Sequence, residues 1–326
     1  MAGIDIATIV YITVWYLGNY YYNIYNKNAG KASGGAEYAF TLATIQLVVG
    51  SVYALFLWVA PEARTPPKMT FAQVMALAPL GFWAALAHAG AVYAMTAGAV
   101  SFGQIVKAGE PVFAVVVGYL AYSSKVSMAK IICLVPIIGG IAIASMKELD
   151  FTMASLLAAS TANVASAFRG GENKKVMGTA DIKAAVGGVG NAYAITTLWA
   201  TLFLIPAIFI SGEYAKFADF KAMWAADGKP GSIGNLRYNT IMSGLTFYLY
   251  NEVSTMALKS LSGVSHSVAN TAKRAVVIIG SAIAFGEDMG FMKTLGCSIA
   301  IGGTFLYAIA DDIAKSLSGG DKKKKK

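Results

Sequence analysis

Two adjacent cations, Lys273 and Arg274, sit near the middle of an apolar stretch, HSVANTAKRAVVIIGSAIAF, at residues 266–285. A charge at the centre of a bilayer costs from about 2.5 kcal/mol on insertion scales to more than about 10 kcal/mol for an isolated helix in simulations. Neighbouring cations also repel, so this pair needs negative charge from elsewhere. A third cation, Lys107, lies in another apolar run, SFGQIVKAGEPVFAVV. Arginine offers an oxyanion a planar fork and lysine a movable point charge. A small dianion such as a phosphate ester has acceptor oxygens for all three.

Purely structural readings stand beside that one. Glu110 follows Lys107 by three residues, close enough on a helix for a local ion pair. Arg274 could pair with Glu252 in the same way across two helices. Lys273, next to Arg274, fits this reading least, because few buried anions are available.

The remaining polar groups at membrane depth are fewer. His88, in WAALAHAGAVYAM, is either a satisfied core residue or a ligand contact. Tyr250, in TFYLYNEVST, can donate to a ligand oxygen, with Tyr248 and Asn251 as flanking alternatives. Arg169 falls at a helix end, where it would snorkel, pair at a gate or reach a ligand. His266 is expected near a helix end at the interface. Cys133 and Cys297 lie inside apolar runs and read as small core residues rather than a disulfide. The sequence has no phosphate loop of the GxxxxGK type, no metal-ligand cluster and no nucleophile with a base at a recognisable spacing. An enzyme, a cofactor and a metal are therefore not expected.

The elements that must hold these groups follow from composition. Of 326 residues, 56% are hydrophobic and 13% charged, against about 25% charged in an ordinary soluble protein. Mean hydropathy is +0.58. Apolar runs of about 20 residues, each able to cross the hydrocarbon as a helix, predict ten spans near 6–25, 38–60, 74–98, 101–122, 128–146, 150–170, 188–211, 238–259, 262–285 and 289–310. The third and fourth spans, and the eighth and ninth, are joined so briefly that tight antiparallel hairpins are expected.

Those hairpins occupy corresponding places in two halves. MAKIICLVPIIGGIAI (128–143) aligns without gaps with FMKTLGCSIAIGGTFL (291–306), matching Lys130 with Lys293 and Gly139 and Gly140 with Gly302 and Gly303. The chain reads as an all-α integral membrane protein of two five-helix repeats, residues 1–149 and 150–314, followed by a basic tail, 315–326. An odd number of helices per unit inverts the second copy, and in carriers so built the substrate site lies near the midplane between the repeats. Superposing Val100 and Ser101 on Val264 and Ser265 matches Lys107 with Thr271, two residues before Lys273, so both lysines should face one central space at similar depth. The net charge of +9 owes much to the tail DKKKKK, which fits a solvated end or a lipid surface better than nucleic acid. The first residues, AGIDIATIVYITVWYLG, do not have the character of a secretory or organelle-targeting leader. Lysine and arginine number about 14 on the side of the termini and about 8 on the other, which puts the termini on the cytosol-like face.

At VWYLGNYYYNIYNK, AVSFGQIVKAGEP, FYLYNEVS and GVSHSVANTAKRAVVI the sequence resembles the plastid triose-phosphate/phosphate translocators of the drug/metabolite transporter superfamily. The likeness runs over nearly the whole chain, and the Lys-Arg pair is its most specific part. The resemblance implies a ten-helix antiporter of the inner plastid envelope that exchanges inorganic phosphate for triose phosphate or 3-phosphoglycerate, or in sister groups for five- or six-carbon sugar phosphates, with phosphoenolpyruvate also open. Lys107, Lys273 and Arg274 would hold the phosphate, His88 and Tyr250 the other end of the substrate, and Arg169 a further contact or gate. The family often has a hydroxyl residue three positions after the histidine, where this chain has Ala91. Two rivals stand beside it: a nucleotide-sugar transporter of the same superfamily, and a membrane scaffold whose buried cations only pair with Glu110 and Glu252.

Overall fold

The computed structural model describes residues 6–146, 152–227, 235–261 and 263–323. The side chains of His266 and of the tail lysines lie outside the described residues. Among the described residues the chain is all helix and turn, without strands. Its helices are α1 (Ile6–Ala32), α2 (Ala39–Val59), α3 (Phe71–Ala76), α4 (Ala78–Ala97), α5 (Val100–Lys107), α6 (Glu110–Tyr122), α7 (Met128–Ser145), α8 (Met153–Met177), α9 (Ala180–Val186), α10 (Val189–Ile210), α11 (Phe217–Ala226), α12 (Leu236–Ser260), α13 (Gly263–Phe285) and α14 (Phe291–Lys323).

Local chemistry accounts for several boundaries. Thr70 and Gln73 form a reciprocal capping box that starts α3. Ser127 caps α7 and Thr152 caps α8 through their hydroxyls. The fourth expected span is broken: α5 ends at Lys107, two residues turn, and α6 restarts at Glu110 with Pro111 in its first turn. The connection between α4 and α5 is as short as expected, yet α4 packs mainly along α8 and α10, and α5 along α13 and α8.

Seven helical stretches among the described residues are long and apolar enough to cross a membrane. They leave out α1, α8 and α12, so the expectation of ten spans is met by hydropathy only in part. The physical reason is polar content. Asn19, Asn23 and Asn26 on α1, Asn163 on α8, and Thr240, Ser243 and Glu252 on α12 are all buried, turned into the bundle rather than outward. Large apolar side chains instead cover the outer faces, as with Val52 and Phe56 on α2, Ile132 and Val135 on α7, and Phe209 and Ile210 on α10. So broad an exposed apolar surface suits lipid, not water.

Helices α7 and α14 cross at their glycines. A Cβ on Gly140 would lie 2.4 Å from the Ala300 nitrogen, one on Gly296 2.4 Å from the Ala144 nitrogen, and one on Gly303 2.9 Å from Ile137. Rising numbers on α7 meet falling numbers on α14, so the pair is antiparallel. The partners of the paired glycines, Gly139 and Gly302, face open space. The other contacts share an exchange pattern. Helix α1 lies along α12 as α8 lies along α4, α2 packs on α12 as α10 packs on α4, and α5 meets α13.

Candidate functional site

The three long helices that fall outside the seven apolar stretches, α1, α8 and α12, converge with α4, α5, α6 and α13 on a central cavity of about 240 Å³. Lys107, Lys273, Arg274, His88, Tyr250 and Arg169 all line it. Its wall carries four cations, Lys107, Arg169, Lys273 and Arg274, against one carboxylate, Glu110. The two lysines of the opposite halves share one space, as the superposition of Val100 and Ser101 on Val264 and Ser265 leads one to expect.

Ion pairing differs from both structural readings of the sequence. Arg274 reaches across from α13 to Glu110, with its Nη2 2.6 Å from the Oε2. Glu252 is taken by Arg64, from the loop after α2, which also approaches the Tyr248 hydroxyl. Lys107 has no ion pair within 4 Å among the described residues, so the Lys107 to Glu110 pair of the structural reading does not form. The break between α5 and α6 separates those two residues, and it leaves Glu110 at a helix start, facing α13. The Arg274 Nε has no hydrogen-bond partner among the described residues.

Lys273 lies over two aromatic faces, its Nζ 5.0 Å from the Trp15 ring centre and 5.7 Å from that of Tyr250. Such contacts are worth about 0.5 to 2 kcal/mol, so they hold the ammonium in place without neutralising it. Tyr250 is buried at the cavity, near Asn19 and Asn251. Asn251 lines the same cavity and donates to the Phe247 carbonyl at 2.9 Å. Tyr248 points elsewhere, into a cluster with Tyr53 and Tyr193. Of the three α12 residues weighed at this depth, Tyr250 and Asn251 face the cavity.

His88 is buried beneath Phe247, with ring centres 4.1 Å apart. Neither ring nitrogen reaches a hydrogen-bond partner, although the Ala43 carbonyl stands near. The Tyr22 hydroxyl is likewise buried and unpartnered. A buried polar group left unpaired costs about 1 to 3 kcal/mol, and both residues line the cavity. Neither cysteine takes part: both are free, Cys297 buried and Cys133 half-buried.

Sequence reasoning missed Trp15, Asn19 and Tyr22, all of which line the cavity. Their spacing of four and then three residues puts them on one face of α1, and that period was the available signal.

Beside Arg169 the cavity adjoins a wider vestibule of about 560 Å³, bounded by Asn173, Met177, Lys183 and Val189 where α8 finishes and α10 begins. The opposite end is closed by bonds. The Lys27 Nζ donates to the Met95 and Gly98 carbonyls at 3.0 and 2.5 Å. Glu287 accepts from the first backbone N–H groups of α5, Val100 at 2.8 Å and Ser101 at 3.0 Å. Glu213 does the same at the start of α2, from Phe40 at 2.9 Å and Thr41 at 2.7 Å. Gln46 joins Asn26 at 2.6 Å and Ser243 at 2.9 Å.

Comparison with known proteins gives a consistent picture. Residues 6–308 match the Triose-phosphate Transporter family. The chain is 33% identical over 312 residues to a chloroplastic xylulose 5-phosphate/phosphate translocator of Arabidopsis thaliana, covering 95% of this chain and 72% of that one. It is also 33% identical over 297 residues to a triose phosphate/phosphate translocator of non-green plastids from Brassica oleracea var. botrytis, covering 90% and 70%. A solved crystal structure with 12% identity superposes with a TM-score of 0.52, covering 93% of this chain and 96% of that one, which speaks for a shared fold alone.

Proposed function

The chain belongs to the Triose-phosphate Transporter family, and from that premise we propose that it is an antiporter of the inner plastid envelope. It exchanges inorganic phosphate for triose phosphate or 3-phosphoglycerate by alternating access. The observation that carries this reading is the meeting of six side chains from five helices on one cavity with a surplus of positive charge.

In this reading ten helices cross the membrane, with α1, α8 and α12 completing the seven apolar stretches. Residues 1–149 and 150–314 are inverted five-helix repeats, and 315–326 is a basic tail. The exchange pattern of helix packing and the antiparallel α7–α14 crossing support it.

Lys107, Lys273 and Arg274 hold the phosphate group. Glu110 neutralises part of their charge, and a dianion supplies the rest. Without cargo the surplus disfavours closure of both ends at once, which is why the carrier exchanges rather than leaks. His88 and Tyr250 meet the other end of the organic substrate, and Arg169, between cavity and vestibule, contacts or gates it. The equal identity to a xylulose 5-phosphate translocator favours a second substrate reading, a five-carbon phosphate. Phosphoenolpyruvate, hexose phosphates and nucleotide sugars are the further cargos to be tried.

The deciding experiment is phosphate uptake by purified protein in liposomes preloaded in turn with phosphate, dihydroxyacetone phosphate, 3-phosphoglycerate, phosphoenolpyruvate, xylulose 5-phosphate or a nucleotide monophosphate. Uptake driven by the three-carbon phosphates and absent from unloaded liposomes is the expected result. Uptake driven by the nucleotide alone sinks the reading.

A further inference from the structure

We infer that the Tyr22 hydroxyl is a substrate contact that selects for an acceptor oxygen, a carbonyl or carboxylate, at the end of the substrate away from the phosphate. The inference rests on the exchange reading above and adds to it a residue and a chemical class.

Three observations converge on Tyr22. Its side chain lines the central cavity, and its hydroxyl is buried with no hydrogen-bond partner. The ring is fixed by neighbours that also face the cavity: Phe247 at 5.1 Å, Tyr250 at 5.6 Å and His88 at 6.5 Å between ring centres. A side chain so held needs no hydroxyl for packing, since phenylalanine would fill the same space. The oxygen is an addition that the protein alone leaves unused.

Its position along α1 tells which part of a cargo it meets. Trp15, on the same face, carries the Lys273 ammonium over its ring. Seven residues separate Trp15 from Tyr22, which is about 10 Å along a helix. Tyr22 therefore stands beside His88 at one end of the cavity, with Lys273 toward the other. A phosphate drawn to Lys273 and Arg274 presents the remaining carbons of its ester in the direction of Tyr22.

The chemistry of that end selects the group. Tyr22 and Tyr250 each carry a hydroxyl donor, and His88 carries a ring N–H, on the same wall. Residue 91, in the same cluster, is alanine and offers no donor of its own. A wall so rich in donors favours a group that only accepts. Inorganic phosphate, which has no second end, does not use Tyr22.

That difference makes the test. Tyr22→Phe is reconstituted beside the unaltered protein, and two exchanges are measured: phosphate for phosphate, and phosphate for 3-phosphoglycerate. The expected result is a KM for 3-phosphoglycerate raised about five- to tenfold more than the KM for phosphate, the size of one hydrogen bond. Glycerol 3-phosphate, which ends in a hydroxymethyl group where 3-phosphoglycerate ends in a carboxylate, should be affected less. Equal loss in all exchanges would assign Tyr22 a structural role and overturn the inference, as would no change in any. Absence of homoexchange in the unaltered protein would remove the exchange reading itself, and the inference with it.

Discussion

Arg274 and Lys273 are neighbours in sequence but are held in different ways. Arg274 has the Glu110 carboxylate at 2.6 Å, whereas Lys273 has two aromatic faces and no ion pair within 4 Å among the described residues. Removing each should therefore act differently. Arg274→Ala strands a half-buried carboxylate at a cost below the about 3 to 5 kcal/mol of a fully buried pair, so it should lower both thermal stability in detergent and exchange. Lys273→Ala removes a charge whose burial is itself unfavourable. Its melting temperature should stay within a few degrees of the parent, while exchange falls by more than about 30-fold, as when one partner of a buried charge pair is cut away. Normal exchange by Lys273→Ala would end the phosphate assignment. The cations themselves were legible in the sequence, because charges inside apolar runs stand out. Their partners were not. Three-residue spacing pointed Glu110 at Lys107, but the turn at Ala108 and Gly109 breaks the helix between them, and α13 supplies the partner from 164 residues away.

At the scale of the element, glycine pairs test how α7 and α14 meet. Gly140 lies where a Cβ would strike the Ala300 backbone at 2.4 Å, while its neighbour Gly139 has nothing within 4 Å. The struck atoms are main chain, so the helices must separate to admit a methyl group. Gly140→Ala should cost about 1 to 3 kcal/mol, as overpacking usually does, and Gly139→Ala should cost nothing measurable. Melting temperatures of the two variants in one detergent check this, and equal values would refute the packing. The sequence carried the paired glycines but not which member of each pair packs, since that depends on helix rotation. The polar helices posed a related problem. Six tyrosines on α1 hide which one faces inward, and only the spacing of four and then three residues from Trp15 and Asn19 picks Tyr22 over Tyr21, whose side chain is exposed. The buried asparagines lower the hydropathy of the same helix, and that loss of apolar character marks a helix that lines the cavity.

For the molecule as a whole, the two ends of the cavity are unequal. A vestibule adjoins it where α8 finishes, and hydrogen bonds close the end at the α4–α5 connection. Those bonds fall into two kinds. Lys27 to Met95, Gln104 to Asn23 and Gln46 to Asn26 join helices within the first half of the chain. Glu287 to Val100 and Ser101, Glu213 to Phe40 and Thr41, and Ser243 to Gln46 join one half to the other. If the halves rock as bodies, only the second kind must break when this end opens. Hydrogen bonds to a charged group contribute about 1.5 to 3 kcal/mol each, enough to shift a two-state balance by about tenfold or more. Glu287→Ala should therefore favour opening at this end. In a background with Cys133 and Cys297 replaced by alanine, Met95→Cys puts a thiol in the cavity wall at the closed end. A membrane-impermeant maleimide added from the side of the α4–α5 connection should label that thiol at least about tenfold faster when Glu287→Ala is present. Lys27→Ala, which cuts a bond within one half, should change the rate much less. Equal acceleration by both variants would mean that the end frays locally, and that the halves do not move as units.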